Sequence, residues 1–290
     1  MSAAIDIDHL QSWIGRTETA SDTITPRLAE SFRATLDLEP GAAAPGGEAP
    51  LCIHWCLAPA IVPGAATGPD GHPARGGFLP PVPLPRRMWA GGELQFLTPL
   101  RVGDRVTRTS RIESVELKEG RTGALCFVAV RHEIRSERGP AIDERQDLVY
   151  RGADAGPAAK PAVPEGRKPA EASREVEATT LLLFRYSALT FNGHRIHYDN
   201  DYCRTEENYP GLVVHGPLQA TLLAHLAAER LGRAPAVFRY RGVSPLFDGG
   251  RFSVNAGADK AGSGAEASTE LDLWTADAHG RTTMTAQASG

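Results

Sequence analysis

The chain lacks three features that would each assign it to a broad class of proteins. Its best candidate for a membrane span, residues 212–228, is interrupted by His215, Gln219 and His225, so no apolar run is long enough to cross a bilayer. It has no block of Lys or Arg, and its formal net charge of -4 argues against nucleic acid as a partner. Its first residues lack the basic and apolar regions of a secretion signal. We therefore expect a cytoplasmic protein without a membrane or nucleic-acid partner.

Cysteine is also scarce, with 4 residues in a chain of 290. This is too few for a disulfide framework, so free thiols are expected. Cys52 and Cys56 flank His54, and Cys and His are zinc ligands. No second Cys or His pair follows at zinc-finger spacing, and the CIHWC string has the aromatic and aliphatic content of a buried segment. We therefore expect these residues to pack in the core, with no metal.

The length suits two units of about 100 to 150 residues each. Residues 25–37 predict a helix, with Thr25 as N-cap and Pro26 at the first helical position. Gly and Pro at 39–50 and 58–86 exclude helix interiors there. The following segment, 88–150, is rich in β-branched residues and divided by turn signals, which predicts an antiparallel meander.

A second set of elements follows a segment that is typical of a linker. Residues 152–176 are mostly Ala, Pro, Lys and Glu, so we divide the chain into 1–151 and 177–290 at this linker. The apolar run at 179–190 predicts a strand. A helix is predicted from about 216 to 231, lying across a sheet, and four strands are predicted in APAVFRYRGV, RFSVNAGAD, ASTELDLWTAD and RTTMTAQAS.

An internal repeat connects the two halves. FLTPLRVGDRVT at 96–107 and GVSPLFDGGRFS at 242–253 share a hydroxyl residue, Pro-Leu, a Gly-containing turn and an Arg, at an offset of 146 residues. Each copy opens a meander, which predicts two copies of one unit. Before its Pro-Leu the second copy has the long helix, whereas the first has DGHPARGGFLPPVPLP. The helix is therefore lost from the first copy, which leaves room for a ligand.

The stretch YSALTFNGHRIHYD at 186–199 places Asn192, His194 and His197 within six residues, upstream of the helix that begins near His215 and Gly216. Imidazole titrates near neutral pH, so this density predicts an acid/base site. The three histidines could instead bind a metal, but no further close ligand supports that alternative.

The strings HPARGGFLPPVPLPRRMWAGG, KEGRTG, RQDLVYR and LLFRYSALTFNGHRIHYD resemble the MaoC-like double hot-dog hydratases and dehydratases. They are most similar to the 3-methylfumaryl-CoA (mesaconyl-C4-CoA) hydratases and the related hydroxyacyl-thioester dehydratases, and the resemblance extends from Trp13 to the C-terminus. It implies an α+β double hot-dog fold with two antiparallel sheets. Residues 1–151 would be a FAS1-like dehydratase domain, non-catalytic and holding the acyl channel, and 177–290 a MaoC-like catalytic domain that keeps the long helix.

The resemblance implies a hydro-lyase that adds water reversibly to an α,β-unsaturated acyl-CoA, converting 3-methylfumaryl-CoA to citramalyl-CoA. One alternative is a (3R)-hydroxyacyl-thioester dehydratase of fatty-acid type. Another is a non-catalytic acyl-CoA-binding protein, because the family's Asp corresponds to Asn192 here. The CoA thioester is the substrate, so no cofactor is expected, and the chain could form a homodimer.

Carried over to this chain, the family's Asp, Asn and His positions become Asn192, His194 and His197. An amide cannot take a proton near neutral pH, so Asn192 can position water but cannot be the base. We expect His197 to activate water, with His194 as second proton carrier or water-orienting group. The backbone N–H of Gly216, at the positive end of a helix, would hold the thioester oxygen. The residues expected to bind substrate are Arg195, Arg86, Arg87 and His215.

Overall fold

The computed structural model describes residues 5–38, 44–120, 123–152, 169–261 and 269–290. The strands are β1 (Thr17–Thr23), β2 (Arg86–Phe96), β3 (Arg105–Gly120), β4 (Gly123–Ser136), β5 (Gly139–Arg151), β6 (Ala172–Glu177), β7 (Val237–Gly242), β8 (Arg251–Ala256), β9 (Lys260–Ala261), β10 (Thr269–Ala276) and β11 (Thr282–Ser289). The helices are α1 (Ile7–Gln11), α2 (Pro26–Thr35), α3 (Thr180–Thr190), α4 (Asn200–Thr205) and α5 (Gly216–Leu231). Short 3-10 turns lie at Ile53–Cys56, Gly64–Ala66 and Arg195–His197.

The strands form one antiparallel sheet in the order β1-β3-β4-β5-β2-β7-β11-β10-β8-β6, with β9 paired to β10. The order is the same on both sides of the central pair, β2 and β7. Leu94 of β2 lies opposite Phe238 of β7 there. The two sheets that were expected are therefore joined edge to edge into one, and each half of the chain supplies half of it.

The internal repeat is confirmed by the strand boundaries. Phe96 and Gly242 end β2 and β7, and Arg105 and Arg251 begin β3 and β8. Both pairs keep the offset of 146 residues seen in the sequence. The predicted meander and the helix capped by Thr25 are also confirmed, since the Thr25 hydroxyl accepts a hydrogen bond from the Leu28 N–H at 3.1 Å.

Helix α5 covers the sheet of the second half, as predicted. Leu223 and Ala227 are fully buried, and the helix packs on β7, β8, β10 and β11. In the described part of the first half, no helix takes this place. The Pro-rich segment instead lays Val82 and Leu84 on the sheet, where they pack with residues such as Ile112. Part of the space predicted to hold an acyl channel is therefore filled.

Thr180–Thr190 form helix α3, so the strand predicted at 179–190 is wrong. The Thr179 hydroxyl accepts a hydrogen bond from the Leu182 N–H at 3.1 Å and caps the helix. Leu183 and Tyr186 are buried on one face, but Phe184 on the other face is 64% exposed. Because apolar residues occupy both faces, the run lacks the amphipathic pattern by which a helix is recognised.

The predicted linker, residues 152–176, extends too far towards the C-terminus. Residues 172–176 belong to β6, which pairs with β8 and closes the edge of the sheet. Residues 153–168 of the predicted linker and 39–43 of a predicted loop lie outside the described residues. Among the helices that are described, none is long and apolar enough to span a membrane.

Candidate active site

The motif at 186–199 forms a sharp turn between α3 and α4. Helix α3 ends at Phe191, which has the left-handed φ of 50°, and the Asn192 N–H donates to the Ser187 carbonyl at 2.9 Å. The Asn192 side-chain oxygen accepts from the backbone N–H of His194 at 3.0 Å. This local bond shapes the turn and places His194 and His197 on its inner side, where both are buried.

His197 has a fixed tautomer. Its Nδ1 lies 2.7 Å from the Val213 carbonyl oxygen, and because a carbonyl only accepts, Nδ1 carries the proton and Nε2 keeps its lone pair. Burial lowers the pKa of His197 from 6.5 to about 4, so the ring is neutral at physiological pH. A neutral imidazole with a free Nε2 can accept a proton from water.

His215 lies behind His197. Its ring stacks on that of His197 with centroids 3.6 Å apart and planes 17° apart, and its Nε2 lies 2.9 Å from the Ser187 hydroxyl oxygen. The residue is 0% exposed. His215 therefore packs behind the His197 ring, and its assignment to substrate binding stays a prediction.

Gly216 begins α5 directly after His215. The helix has no side-chain cap, and no described residue accepts a hydrogen bond from the Gly216 N–H. The positive end of the helix dipole favours negative charge at this point. A Cβ at this position would lie 2.8 Å from Cε3 of Trp89, so the close packing of Trp89 requires glycine.

His194 lies between two other imidazoles. Its ring centroid is 5.4 Å from that of His197 and 4.2 Å from that of His72. His72 was not predicted as a site residue, because it belongs to the Pro-rich segment of the first half. Its Nδ1 lies 3.0 Å from a carboxylate oxygen of Asp70. The structure thus adds an imidazole and a carboxylate to the predicted motif.

The loop that carries His72, residues 67–73, is held against the motif by backbone contacts. The Arg195 N–H donates to the Asp70 carbonyl at 2.9 Å. Gly71 has φ +88°, and a Cβ there would overlap the carbonyl oxygen of Gly193. A Cβ on Gly193 would in turn lie 2.8 Å from the Gly71 carbonyl oxygen. Two glycines therefore let the loop approach the motif closely.

The three arginines expected to bind substrate differ in their surroundings. Arg86 is buried and pairs with Glu207 at 2.9 Å. Arg195 donates to Asp199 at 2.8 Å and to the Pro69 carbonyl at 3.1 Å. Both make ion pairs within the protein, and their assignment to substrate binding stays a prediction.

Arg87 lies near His72 and His194, and the side-chain partner that the described residues give it is the neutral Tyr150 hydroxyl rather than a carboxylate. Burial is the main cause that lowers the pKa of His194. The neighbouring His72 and His197 lower it further, and the charge of Arg87 adds to the effect. Burial lowers the pKa of His72 as well, and Arg87 contributes there too. Arg87 is therefore the candidate that can still bind a substrate anion.

The CIHWC string is part of the core, as predicted. Cys52, His54 and Cys56 are all buried, and burial raises the pKa of the Cys56 thiol to about 12. The His54 Nε2 lies 3.4 Å from the Glu144 carboxylate. The four cysteines are free, and the two thiols of this string pack in the core.

Replacing Asn192 tests whether its side chain acts mainly on the turn. Asn192→Ala removes the acceptor of the His194 N–H and should lower kcat by about 10-fold, because His194 and His197 lose their placement. Asn192→Asp keeps an acceptor oxygen and should retain activity within a few-fold. Steady-state kinetics of both variants check this, and equal losses in the two would contradict it.

Comparison with known proteins agrees with this architecture. The sequence model of the hydroxyacyl-thioester dehydratase type 2 family matches residues 52–248. Over 240 residues the chain is 45% identical to the mesaconyl-C(4)-CoA hydratase of Chloroflexus aurantiacus, covering 82% of this chain and 85% of the relative.

Two solved structures show the same fold at low identity. A MaoC-like dehydratase has a TM-score of 0.74 at 13% identity, with 97% of this chain and 98% of that chain covered. A protein of Mycobacterium tuberculosis described as having a double hot-dog fold has a TM-score of 0.59 at 13% identity, with 95% of each chain covered. The fold is thus the predicted α+β double hot-dog.

Proposed function

The chain belongs to the hydroxyacyl-thioester dehydratase type 2 family, and from this premise we propose that it is a hydro-lyase that hydrates an enoyl-CoA. The substrate we propose is 3-methylfumaryl-CoA (mesaconyl-C4-CoA), with citramalyl-CoA as product. The observation that carries the proposal is the position of His197. Its ring is neutral with a free Nε2 and stacks on the ring of His215. His215 directly precedes Gly216, whose N–H begins helix α5 without a side-chain cap.

Hydration of an α,β-unsaturated thioester needs a base for water and donors for the thioester oxygen, which becomes enolate-like. In this proposal Nε2 of His197 takes a proton from water as the water oxygen attacks the β-carbon. The N–H of Gly216 donates to the thioester oxygen, where the helix dipole favours the developing charge. Asn192 and His194 hold the turn and orient the water.

The dicarboxylic substrate is supported by Arg87. The second carboxylate of 3-methylfumaryl-CoA needs a cation near the reacting carbons, and guanidinium pairs with carboxylate through two parallel hydrogen bonds. Arg87 lies near His72 and His194, whereas Arg86 and Arg195 are bonded to Glu207 and Asp199. The acyl part would lie beside loop 67–73.

A fatty-acid-type (3R)-hydroxyacyl-thioester dehydratase is the second candidate, favoured by the name of the family. Incubation of the purified protein with mesaconyl-C4-CoA and with crotonyl-CoA, followed by loss of the enoyl-thioester absorbance, tests both. Preference for mesaconyl-C4-CoA supports the first proposal, and preference for crotonyl-CoA supports the second. Binding of both without turnover would leave a non-catalytic acyl-CoA-binding protein.

Arg87→Gln should separate the two substrate classes. Loss of a charge-assisted pair worth about 1.5–3 kcal/mol lowers kcat/KM for mesaconyl-C4-CoA by about 10- to 100-fold. Turnover of crotonyl-CoA, which has no second carboxylate, should stay within a few-fold. Arg105→Gln, an exposed arginine at the start of β3, is the matched control and should change neither. An equal fall for both substrates would contradict carboxylate binding by Arg87.

We propose that the reaction needs no cofactor beyond the CoA thioester, since every step is a proton transfer or an addition. We also propose a cytoplasmic location, which agrees with four free, buried cysteines. The two halves already form a paired sheet, and further association into a homodimer can be measured by sedimentation.

A further inference from the structure

We infer that His72, oriented by Asp70, is a catalytic proton carrier of this site, contributed by the half of the chain that was expected to be non-catalytic. The inference rests on the proposed hydratase function and adds to it. Asn192 stands where the family has an acid, so the motif lacks a carboxylate. The chain would supply this carboxylate from loop 67–73 instead.

The geometry of Asp70 and His72 fixes the imidazole. The Nδ1 of His72 lies 3.0 Å from one carboxylate oxygen of Asp70, and the backbone N–H of His72 donates to the other at 3.0 Å. Because an ionised carboxylate only accepts, Nδ1 carries a proton and Nε2 faces away from Asp70. The side chains of His72 and Asp70 are 18% and 17% exposed, unlike the fully buried His215, so a ligand can reach this pair.

The carboxylate distinguishes His72 from the other imidazoles of the cluster. Burial lowers the pKa of all four rings, and that of His194 falls to about 2. Only for His72 does a hydrogen bond to a carboxylate oppose this effect. Burial also disfavours ionisation of Asp70, but the hydrogen bonds from His72 hold the pKa of its carboxyl below the ordinary value. Asp70 therefore stabilises the imidazolium form of His72, as the carboxylate of a catalytic triad does for its histidine.

The reaction balances with two imidazoles. An O–H bond of water breaks, the proton passes to Nε2 of His197, and the oxygen bonds to the β-carbon. The electrons of the double bond move to the thioester, whose oxygen is held by Gly216. A C–H bond then forms at the α-carbon as the Nε2–H bond of His72, present as imidazolium, breaks, which leaves that ring neutral and His197 protonated. The proton on His197 returns to His72 through solvent or through His194, whose ring contacts both.

Substrate charge assists this transfer. The groups that act on His72 are Asp70, Arg87, Arg75 and the rings of His194 and His197, and both arginines disfavour its protonation. A substrate carboxylate bound to Arg87 neutralises one of them. A dicarboxylyl-CoA therefore favours protonated His72 while the α-carbon needs the proton.

Asp70, His72 and His194 could alternatively hold a metal ion, since their ligand atoms lie within 4.8 Å of one another. The bond between Asp70 and Nδ1 of His72 argues for the proton-carrying role, because it engages the carboxylate and leaves Nε2 as the nitrogen that can exchange a proton. Activity that is lost on dialysis against a chelator and restored by a divalent cation would overturn the proton-carrier assignment. Activity that survives chelation supports it.

The decisive variants are His72→Gln and Asp70→Asn. His72→Gln should lower kcat for mesaconyl-C4-CoA by about 10²-fold with KM changed by only a few-fold, since an amide carries no proton. Asp70→Asn should lower kcat by about 10-fold. It should also move the alkaline limb of the kcat profile to lower pH, because loss of the carboxylate lowers the pKa of His72. If Asp70 only supported the structure of the loop, Asp70→Asn would reduce kcat without moving the alkaline limb of the pH profile.

His279→Gln is the matched control. Asp277 and His279 have the same spacing as Asp70 and His72, and the His279 N–H donates to the Asp277 carboxylate at 2.9 Å, but His279 is exposed and belongs to another turn. This variant should keep wild-type kinetics. Wild-type turnover of either enoyl-CoA establishes the hydratase, so an active wild type with an equally active His72→Gln would overturn only the inference about His72. Should His72→Gln fold poorly by circular dichroism, the pH profile of Asp70→Asn decides.

Discussion

Replacing His197 by Gln is expected to lower kcat by about 10³-fold, because it removes the proposed acceptor of the water proton. Gln retains an amide that can donate to the Val213 carbonyl, the bond that Nδ1 makes at 2.7 Å. The turn should therefore keep its shape, and KM should change little. Loss of kcat with retained KM is the signature of an interaction made only in the transition state.

His225→Gln is the control for this variant. His225 is half-buried, its Nε2 lies 3.1 Å from the Leu51 carbonyl oxygen, and desolvation lowers its pKa to about 4 as well. It lies on α5 outside the cluster of His72, His194, His197 and His215. The two variants should change the melting temperature alike, but only His197→Gln should lose turnover. Similar kcat values in both would remove His197 from the mechanism.

The lowered pKa values of His197 and His225 also predict how the free energy of unfolding depends on pH. Their folded pKa of about 4 is below the ordinary 6.5, so the unfolded chain binds their protons more readily. The stability that each neutral ring contributes is complete above pH 6.5 and is lost as pH falls towards 4, by about 3 kcal/mol at pH 4 for each group. Each Gln variant should therefore lose less stability than the wild type over this interval, as measured by urea unfolding.

Much of the fold could be predicted from the sequence, because the repeat and the turn signals indicate the two units and the boundaries of their strands. The offset between Phe96 and Gly242 predicted two units, and the strands end at those residues. Residues 179–190 were misread because Leu181 and Phe184 are apolar yet exposed, which removes the helical pattern. Thr179 was the signal that could have corrected this, since a hydroxyl residue before an apolar run is typical of an N-cap.

The site was predicted only in part, because some of its residues lie far apart along the chain. Asn192, His194 and His197 are neighbours in sequence, so their density was visible. His72 lies about 120 residues earlier, and only the pairing of β2 with β7 and the docking of loop 67–73 bring it to His194. A signal was nevertheless present, since Asp70-Gly71-His72 opens the segment that replaces the lost helix.

Gly71→Ala should test whether the two halves must meet for activity. A Cβ on Gly71 would overlap the carbonyl oxygen of Gly193, and φ +88° is unfavourable for alanine. The loop must therefore move away from the motif, taking Asp70 and His72 with it. We expect kcat to fall by about 10²-fold or more, because displacements of about 1 Å cost this much in catalysis. The sheet has no part in this contact and should be retained by circular dichroism.

Gly76→Ala separates the docking contact from backbone strain. Gly76 has nearly the same dihedral, φ +89°, but a Cβ there meets only Pro81 at 3.7 Å, an ordinary van der Waals distance. Both variants therefore carry the strain of a left-handed alanine, and only Gly71→Ala carries the collision. Activity should be near normal in Gly76→Ala and lost in Gly71→Ala. If the two lost activity equally, strain within the first half would explain the result and the contact with Gly193 would not matter. If Gly71→Ala alone is inactive, the site is shared between the two halves, and loss of the helix from the first half has made room for the loop that completes it.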